Sequence, residues 1–108
     1  MRKYRNKPCV IDGIRFDSKK EAARYSELKL LEKAGDIQHL TLQPKFGFAV
    51  DGEILKYKSG RPVIYKADFS YWQDGKEVVE DVKGVRTPAY RLKWAMMKLI
   101  NKIEVKET

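Results

Sequence analysis

Residues 63–84, VIYKADFSYWQDGKEVVEDVKG, constrain this chain more than any other stretch. Two runs rich in β-branched and aromatic residues flank Asp74-Gly75. That pair favours a two-residue hairpin turn, because both central positions need φ > 0. Counting outward from the turn pairs Gln73 with Lys76, Tyr71 with Val78, Phe69 with Glu80, and Asp68 with Asp81. Two carboxylates are then opposed on one face, and Lys83 projects from the same face two residues beyond Asp81. Opposed like charges destabilise a strand pair, and the apolar neighbours Ala67, Phe69, Val79 and Val82 make charge costly there. A divalent cation between the aspartates would relieve both penalties. The plainer alternative is a solvated sheet face that carries two acids and a lysine by chance. The same register puts Glu80 on the opposite face, as a surface or interface residue.

Composition narrows the partners. The chain has 108 residues and a formal charge of +8, which suits one domain spanning residues 1–108 with a polyanionic partner, nucleic acid first. A basic arm is expected over residues 1–7, either solvated or touching phosphates. No apolar run is long enough to span a bilayer, and no secretory signal follows the basic start, so no membrane partner is expected. The single Cys9 excludes an internal disulfide and suits a reducing, cytoplasmic setting. With one cysteine and one histidine, no zinc site of the usual nitrogen and sulfur ligands can form. Any metal must be a hard ion held by oxygens.

Along the chain, Asp12-Gly13 predicts a small hairpin over residues 10–16. Ser18 and Gly35 bracket a helix over residues 18–34, with Tyr25, Leu28 and Leu31 as its apolar stripe. Glu21 lies on that stripe. It completes a capping box with Ser18, or it points inward as an acid with a task. A strand follows over residues 37–42, and His39, the only histidine, is read as structural. Gln43 follows that strand, as a contact for a substrate phosphate or a support for Glu21. A second hairpin is expected around Asp51-Gly52, then a mobile basic loop over residues 58–62 in which Lys58 and Arg61 touch nucleic acid. Thr87 as N-cap and Pro88 as first residue start a second helix, whose core stripe reads as Leu92, Ala95, Met96 and Leu99. Its free N-terminal amides, with Gly84, Arg86 and Thr87 beside them, suit a phosphate. Arg91 and Lys98 are outer-face phosphate contacts, and Lys93 is placed to face the scissile phosphate. Residues 103–106 are expected to end the chain as an edge strand.

Asp68 followed after a hairpin by Asp81-Val82-Lys83 resembles the core of PD-(D/E)XK nucleases. More closely, YKADFSYW, VVEDVKG and TPAYRLK, with FDSKKEAARYSELKLLEKAGDI and LQPKF upstream, are similar to small phage-encoded proteins of that superfamily, a group labelled a domain of unknown function. The likeness covers roughly residues 14–100. One departure is Ala67, where the motif's name has proline. The resemblance implies an α/β (α+β) fold with a restriction-endonuclease-like core. In it a helix precedes a central mixed β-sheet and a basic helix follows the catalytic hairpin. It implies a Mg²⁺-dependent DNA endonuclease, with Mn²⁺ able to substitute, located in a host cell's cytoplasm. Asp68 and Asp81 would be metal ligands, with the Val82 carbonyl and Glu21 completing the set and Lys83 orienting the attacking water. The small basic form suits a homodimeric enzyme for branched DNA, such as a Holliday-junction resolvase. The competing expectations are a non-catalytic DNA-binding module on a degenerate nuclease fold and, more remotely, a structural adaptor.

Overall fold

The computed structural model describes residues 8–82 and 86–108. The expected basic arm, Lys83 and Gly84 lie outside the described residues. β1 (Cys9–Ile11) and β2 (Ile14–Phe16) form the first hairpin. α1 (Lys19–Lys33) follows, and then β3 (Gln38–Leu42) and β4 (Lys45–Phe46). β5 (Ala49–Val50) and β6 (Glu53–Ile54) make the next hairpin, and β7 (Tyr65–Lys66) runs into β8 (Phe69–Gln73) and β9 (Lys76–Asp81). α2 (Pro88–Leu99) and the short β10 (Lys106–Glu107) complete the order. The architecture is mixed α+β, with two helices packed around a central sheet.

All three Asp-Gly pairs adopt the backbone that the hairpin argument requires. Asp12, Asp51 and Asp74 have φ of 53°, 51° and 53°, and their glycines φ of 75°, 80° and 76°. The first residue of such a turn strains most side chains. Aspartate tolerates it, and glycine takes the second place at no steric cost. The main sheet runs β10-β9-β8-β3. β8 and β9 pair antiparallel with Phe69 opposite Glu80, Tyr71 opposite Val78 and Gln73 opposite Lys76. β10 joins β9 in parallel, which makes the sheet mixed. β3 pairs antiparallel with β8 through a bulge between Gln38 and Thr41, and His39 within it has φ of 57°.

Each face of the sheet carries its own core. Toward α1, Phe69 and Tyr71 pack with Tyr25, Leu28, Ile37 and Phe16. Ser18 caps this helix as expected, its Oγ accepting the Glu21 N–H at 3.1 Å, and Gly35 ends it with φ of 85°. Toward α2, Val79, Tyr65 and Ala67 pack with Phe48, Val63, Tyr90, Met97 and Val105. Thr87 Oγ1 accepts the Tyr90 N–H at 3.1 Å, so the α2 start is also as expected.

Three expectations are corrected. The buried face of α2 is Tyr90 and Met97 with Trp94, Met96 and Ile100, whereas Leu92 and Leu99 are 63% and 73% exposed. The helix carries two apolar stripes, and polar anchors choose between them. Tyr90 OH donates to Glu107 at 2.6 Å and Trp94 Nε1 to the Val105 carbonyl at 3.0 Å. Residues 58–62 are no open loop either. Lys56 pairs with Pro62, and the Tyr57 N–H donates to the Arg61 carbonyl at 2.8 Å, closing a tight hairpin. The terminal strand begins three residues later than expected, at Lys106.

Candidate active site

The β8–β9 register brings two acids together at the open end of the hairpin. The Asp68 N–H donates to the Glu80 carbonyl at 3.1 Å, just beyond the last registered pair, Phe69 opposite Glu80. The Asp68 and Asp81 carboxyl groups then lie within hydrogen-bond reach of each other. Asp81 is only 1% exposed, and the Tyr65 hydroxyl donates to its Oδ2. Burial pushes the Asp68 carboxyl up to about 7, and the hydrogen bond and negative charge of Asp81 add to the rise, as does the charge of Glu21. The Val82 N–H, donating to Asp68 Oδ2 at 2.7 Å, acts the other way by favouring the ionised form. Burial and the bond to Asp81 likewise drive the Tyr65 phenol well above its ordinary value.

Glu21 reaches the same place from α1. Its backbone is what Ser18 caps, while the residue as a whole is 8% exposed and lines a cleft of about 160 Å³ together with Asp68, Gln43, Leu42, Arg15, Ile14 and Phe16. Cap and inward acid are therefore compatible roles of one residue. Gln43 has φ of 51°, and its N–H donates to the Asp68 carbonyl at 2.9 Å, tying the end of β3 to the site. A more open cleft of about 580 Å³ lies between α1 and the β1–β2 hairpin. Its acids have structural work: Asp12 accepts from Tyr25, and Glu32 takes the Leu40 N–H and pairs with Lys29.

Glu80, expected as a surface or interface residue, is instead a core acid. It does face away from Asp81, toward α1, but it is 0% exposed. Arg24 grips it with two bonds, Nε to Oε1 at 2.8 Å and Nη2 to Oε2 at 2.7 Å, and Tyr71 OH donates to Oε2. Burial alone would raise the Glu80 carboxyl. Arg24 and Tyr71 outweigh it and hold the group below the ordinary carboxylate range.

The other site residues expected from sequence scatter around this centre. Lys83 and Gly84 lie outside the described residues. Val82 packs its side chain toward α1. Arg86 pairs with Glu107 at 3.0 Å, Thr87 is the α2 cap, and Arg91 is exposed. Lys93 is half-buried, whereas Lys98 lies 5.6 Å from the Trp94 ring centroid and 3.5 Å from Glu104. Lys58 and Arg61 are exposed at the tip of the 56–62 hairpin. Sequence reasoning missed Arg15, the cation lining the cleft, and Tyr65, which holds Asp81. Tyr65 had one readable signal, since it alternates with Val63 and Ala67 on the inward face of its strand.

The donor chemistry at this centre suits a hard divalent cation. The acids at this centre, Asp68, Asp81 and Glu21, offer carboxylate oxygens, and Mg²⁺ is commonly held by one or two carboxylates with waters filling the remaining positions. Among the described residues, no group of three histidine, cysteine, aspartate or glutamate side chains is arranged to hold a metal ion. Asp68 and Asp81 are thus the pair that would have to do so, with Glu21 approaching from the cleft. No helix among the described residues is long and apolar enough to cross a membrane.

The fold and site define a mixed α+β protein with a carboxylate pair, Asp81 buried and Asp68 half-buried, at the open end of its central hairpin. The chain belongs to the family described as protein of unknown function DUF1064, whose profile matches residues 1–107. No curated protein and no solved structure matches it.

Proposed function

We propose that this protein is a metal-dependent endonuclease that hydrolyses DNA phosphodiester bonds on a restriction-endonuclease-like core. The observation that carries this reading is the pairing of the half-buried Asp68 with the buried Asp81, in which Asp68 is pushed up to about 7. Such a pair gains more from a divalent cation than from any neutral partner. A bound Mg²⁺, or Mn²⁺ in its place, would lower the pKa of a coordinated water and neutralise charge on a phosphate oxygen. Asp68 and Asp81 would hold it. Tyr65 fixes the Asp81 carboxylate through its hydroxyl, and the Val82 N–H fixes Asp68. Glu21 contributes negative charge at the cleft wall, and Arg15 is a cation available to the phosphate there. Lys83 is assigned from sequence to orient the attacking water and stabilise the pentacovalent phosphate. The net charge of +8 supports a polyanionic substrate. Paired cuts in branched DNA need two such sites, hence a homodimer.

A second reading is a DNA-binding module without catalysis. The exposed cations Lys58, Arg61 and Arg91 favour it, since they could hold phosphates with no metal and no reacting acid. One experiment separates the two. Linear duplex, single-stranded, flapped and four-way DNA are incubated with Mg²⁺ or Mn²⁺ and either wild-type or Asp81→Ala protein. The nuclease reading expects cleavage by the wild type alone, with salt-sensitive binding kept by both. Identical behaviour of the two proteins on every substrate would leave only the binding module.

A further inference from the structure

β4 and β7 carry a second pair of opposed like charges, of the other sign. Lys45 lies directly opposite Lys66, and both side chains are exposed. Their chain neighbours, Phe46 and Tyr65, stack with ring centroids 6.3 Å apart and turn toward the α2-side core. The lysines therefore stand on the other face of the ribbon. The alternation is regular: Val63, Tyr65 and Ala67 are buried, while Pro62, Ile64 and Lys66 are exposed. Lys56, opposite Pro62, adds a third exposed cation farther along. Among the described residues, neither Lys45 nor Lys66 forms an ion pair. Opposed like charges destabilise a strand pair, so this apposition works against the fold unless an anion sits over it.

The same two strands lead straight into the candidate site. The Ala67 N–H donates to the Pro44 carbonyl at 3.0 Å and the Gln43 N–H to the Asp68 carbonyl at 2.9 Å. Extending the Lys45–Lys66 register by two residues brings Gln43 opposite Asp68, and both of these line the cleft that holds Glu21 and Arg15. Two residues along a strand is roughly 7 Å, close to the stride between successive phosphates of a nucleic-acid strand.

We propose that Lys45 and Lys66 form a phosphate clamp that seats the substrate's sugar-phosphate backbone beside the reacting bond, with Lys56 continuing the track along the ribbon. The clamp rests on the nucleic-acid partner of the nuclease reading, but not on catalysis. Each lysine contacts a backbone phosphate, which positions the strand without reading its bases.

The test measures binding of a fluorescein-labelled duplex across a salt series, with Ca²⁺ in place of Mg²⁺. Lys45→Gln/Lys66→Gln is compared with Lys33→Gln/Lys76→Gln, which removes the same charge from the last turn of α1 and the far end of β9. Loss of two phosphate contacts is expected to weaken binding about tenfold and to flatten the salt dependence by roughly two units. The control pair is expected to change affinity less than about threefold, as a diffuse charge effect. Relief of the like-charge apposition should leave the clamp variant at least as heat-stable as wild type; if it does not fold, Lys66→Gln alone carries the test at half the effect. Wild-type affinity in the clamp variant, or an equal loss in the control, overturns the clamp. Cleavage by wild type against Asp81→Ala reads the nuclease proposal separately. A clamp variant that binds normally while Asp81→Ala stops cleavage sinks only the clamp, and lost binding with no cleavage by any protein sinks only the nuclease.

Discussion

Glu80 and Asp81 are neighbours in the chain, both almost wholly buried, and they sit on opposite faces of one strand. Their surroundings differ in kind. Glu80 is packed against a base: the Arg24 guanidinium meets it with two bonds and Tyr71 adds a third. Asp81 is packed against another acid, Asp68, with the Tyr65 hydroxyl on its Oδ2. The chemistry of the two settings runs in opposite directions. The first depresses its carboxyl; the second raises that of Asp68. An acid held for structure is given its counter-charge by the fold. An acid pair pressed together stores a demand for positive charge, and a substrate-side cation can meet it.

The largest expected effect tests the acid pair. Asp81→Asn should lower Mg²⁺-dependent cleavage by about 10³-fold, the scale of losing a group that stabilises charge in the transition state, while duplex binding persists. Steady-state cleavage and anisotropy on the same preparations check this. Unchanged cleavage would erase the functional half of the comparison.

On the other face the expected loss is in stability. Arg24→Met leaves Glu80 buried without its counter-charge and should cost about 3 kcal/mol, a fall in Tm of roughly ten degrees or more for a domain near this size. Arg24→Met/Glu80→Leu should recover most of it, since a well-packed apolar pair replaces a buried ion pair with little penalty. Thermal unfolding decides the matter. A single variant as stable as wild type would mean that Glu80 is not held by Arg24 at all.

A smaller effect, with its sign fixed by linkage, follows from pH. The folded Asp68 carboxyl is raised from an ordinary 3.8 to about 7, so the native state binds the proton more tightly than the unfolded chain. In the metal-free protein the Asp68 contribution should be most favourable below the ordinary value and be lost as pH rises through this window. Asp68→Asn should remove that slope and gain on the order of 1 kcal/mol above it. Mg²⁺ should raise the Tm of wild type more above about pH 7 than below, and do little for the variant. Glu80, whose carboxyl is lowered, contributes in the opposite sense: its stabilisation is present above the ordinary value and fades as pH falls. Calorimetry of both variants across pH separates the two slopes; parallel profiles would break the contrast.

The smallest change is expected on the exposed stripe of α2. Leu99→Gln, on the exposed stripe, should alter stability by less than about 0.5 kcal/mol, whereas Met97→Ala, fully buried, should cost about 2 kcal/mol or more. Denaturant titration of both checks the assignment.

Much of this was legible in the sequence. Asp-Gly pairs at three places demanded turns that few other residues accept, so the hairpin register from Gln73 opposite Lys76 to Phe69 opposite Glu80 followed from local backbone preference. Ser18, Gly35, Thr87 and Pro88 marked helix ends for the same local reason. The stripe of α2 was not legible, because Leu92-Leu99 and Tyr90-Met97 have equal helical spacing. The Glu107 and Val105 anchors, which the chain brings back against the helix, distinguish them. The burial of Glu80 was hidden too, since its partner Arg24 lies 56 residues away in the chain. Local sequence determined which backbone turns were possible and which side chains shared a strand face, because those depend on neighbouring dihedral angles. Which buried acid receives a base and which receives another acid was decided by helix-to-sheet packing, because a charge in low dielectric answers to whatever is brought beside it in space.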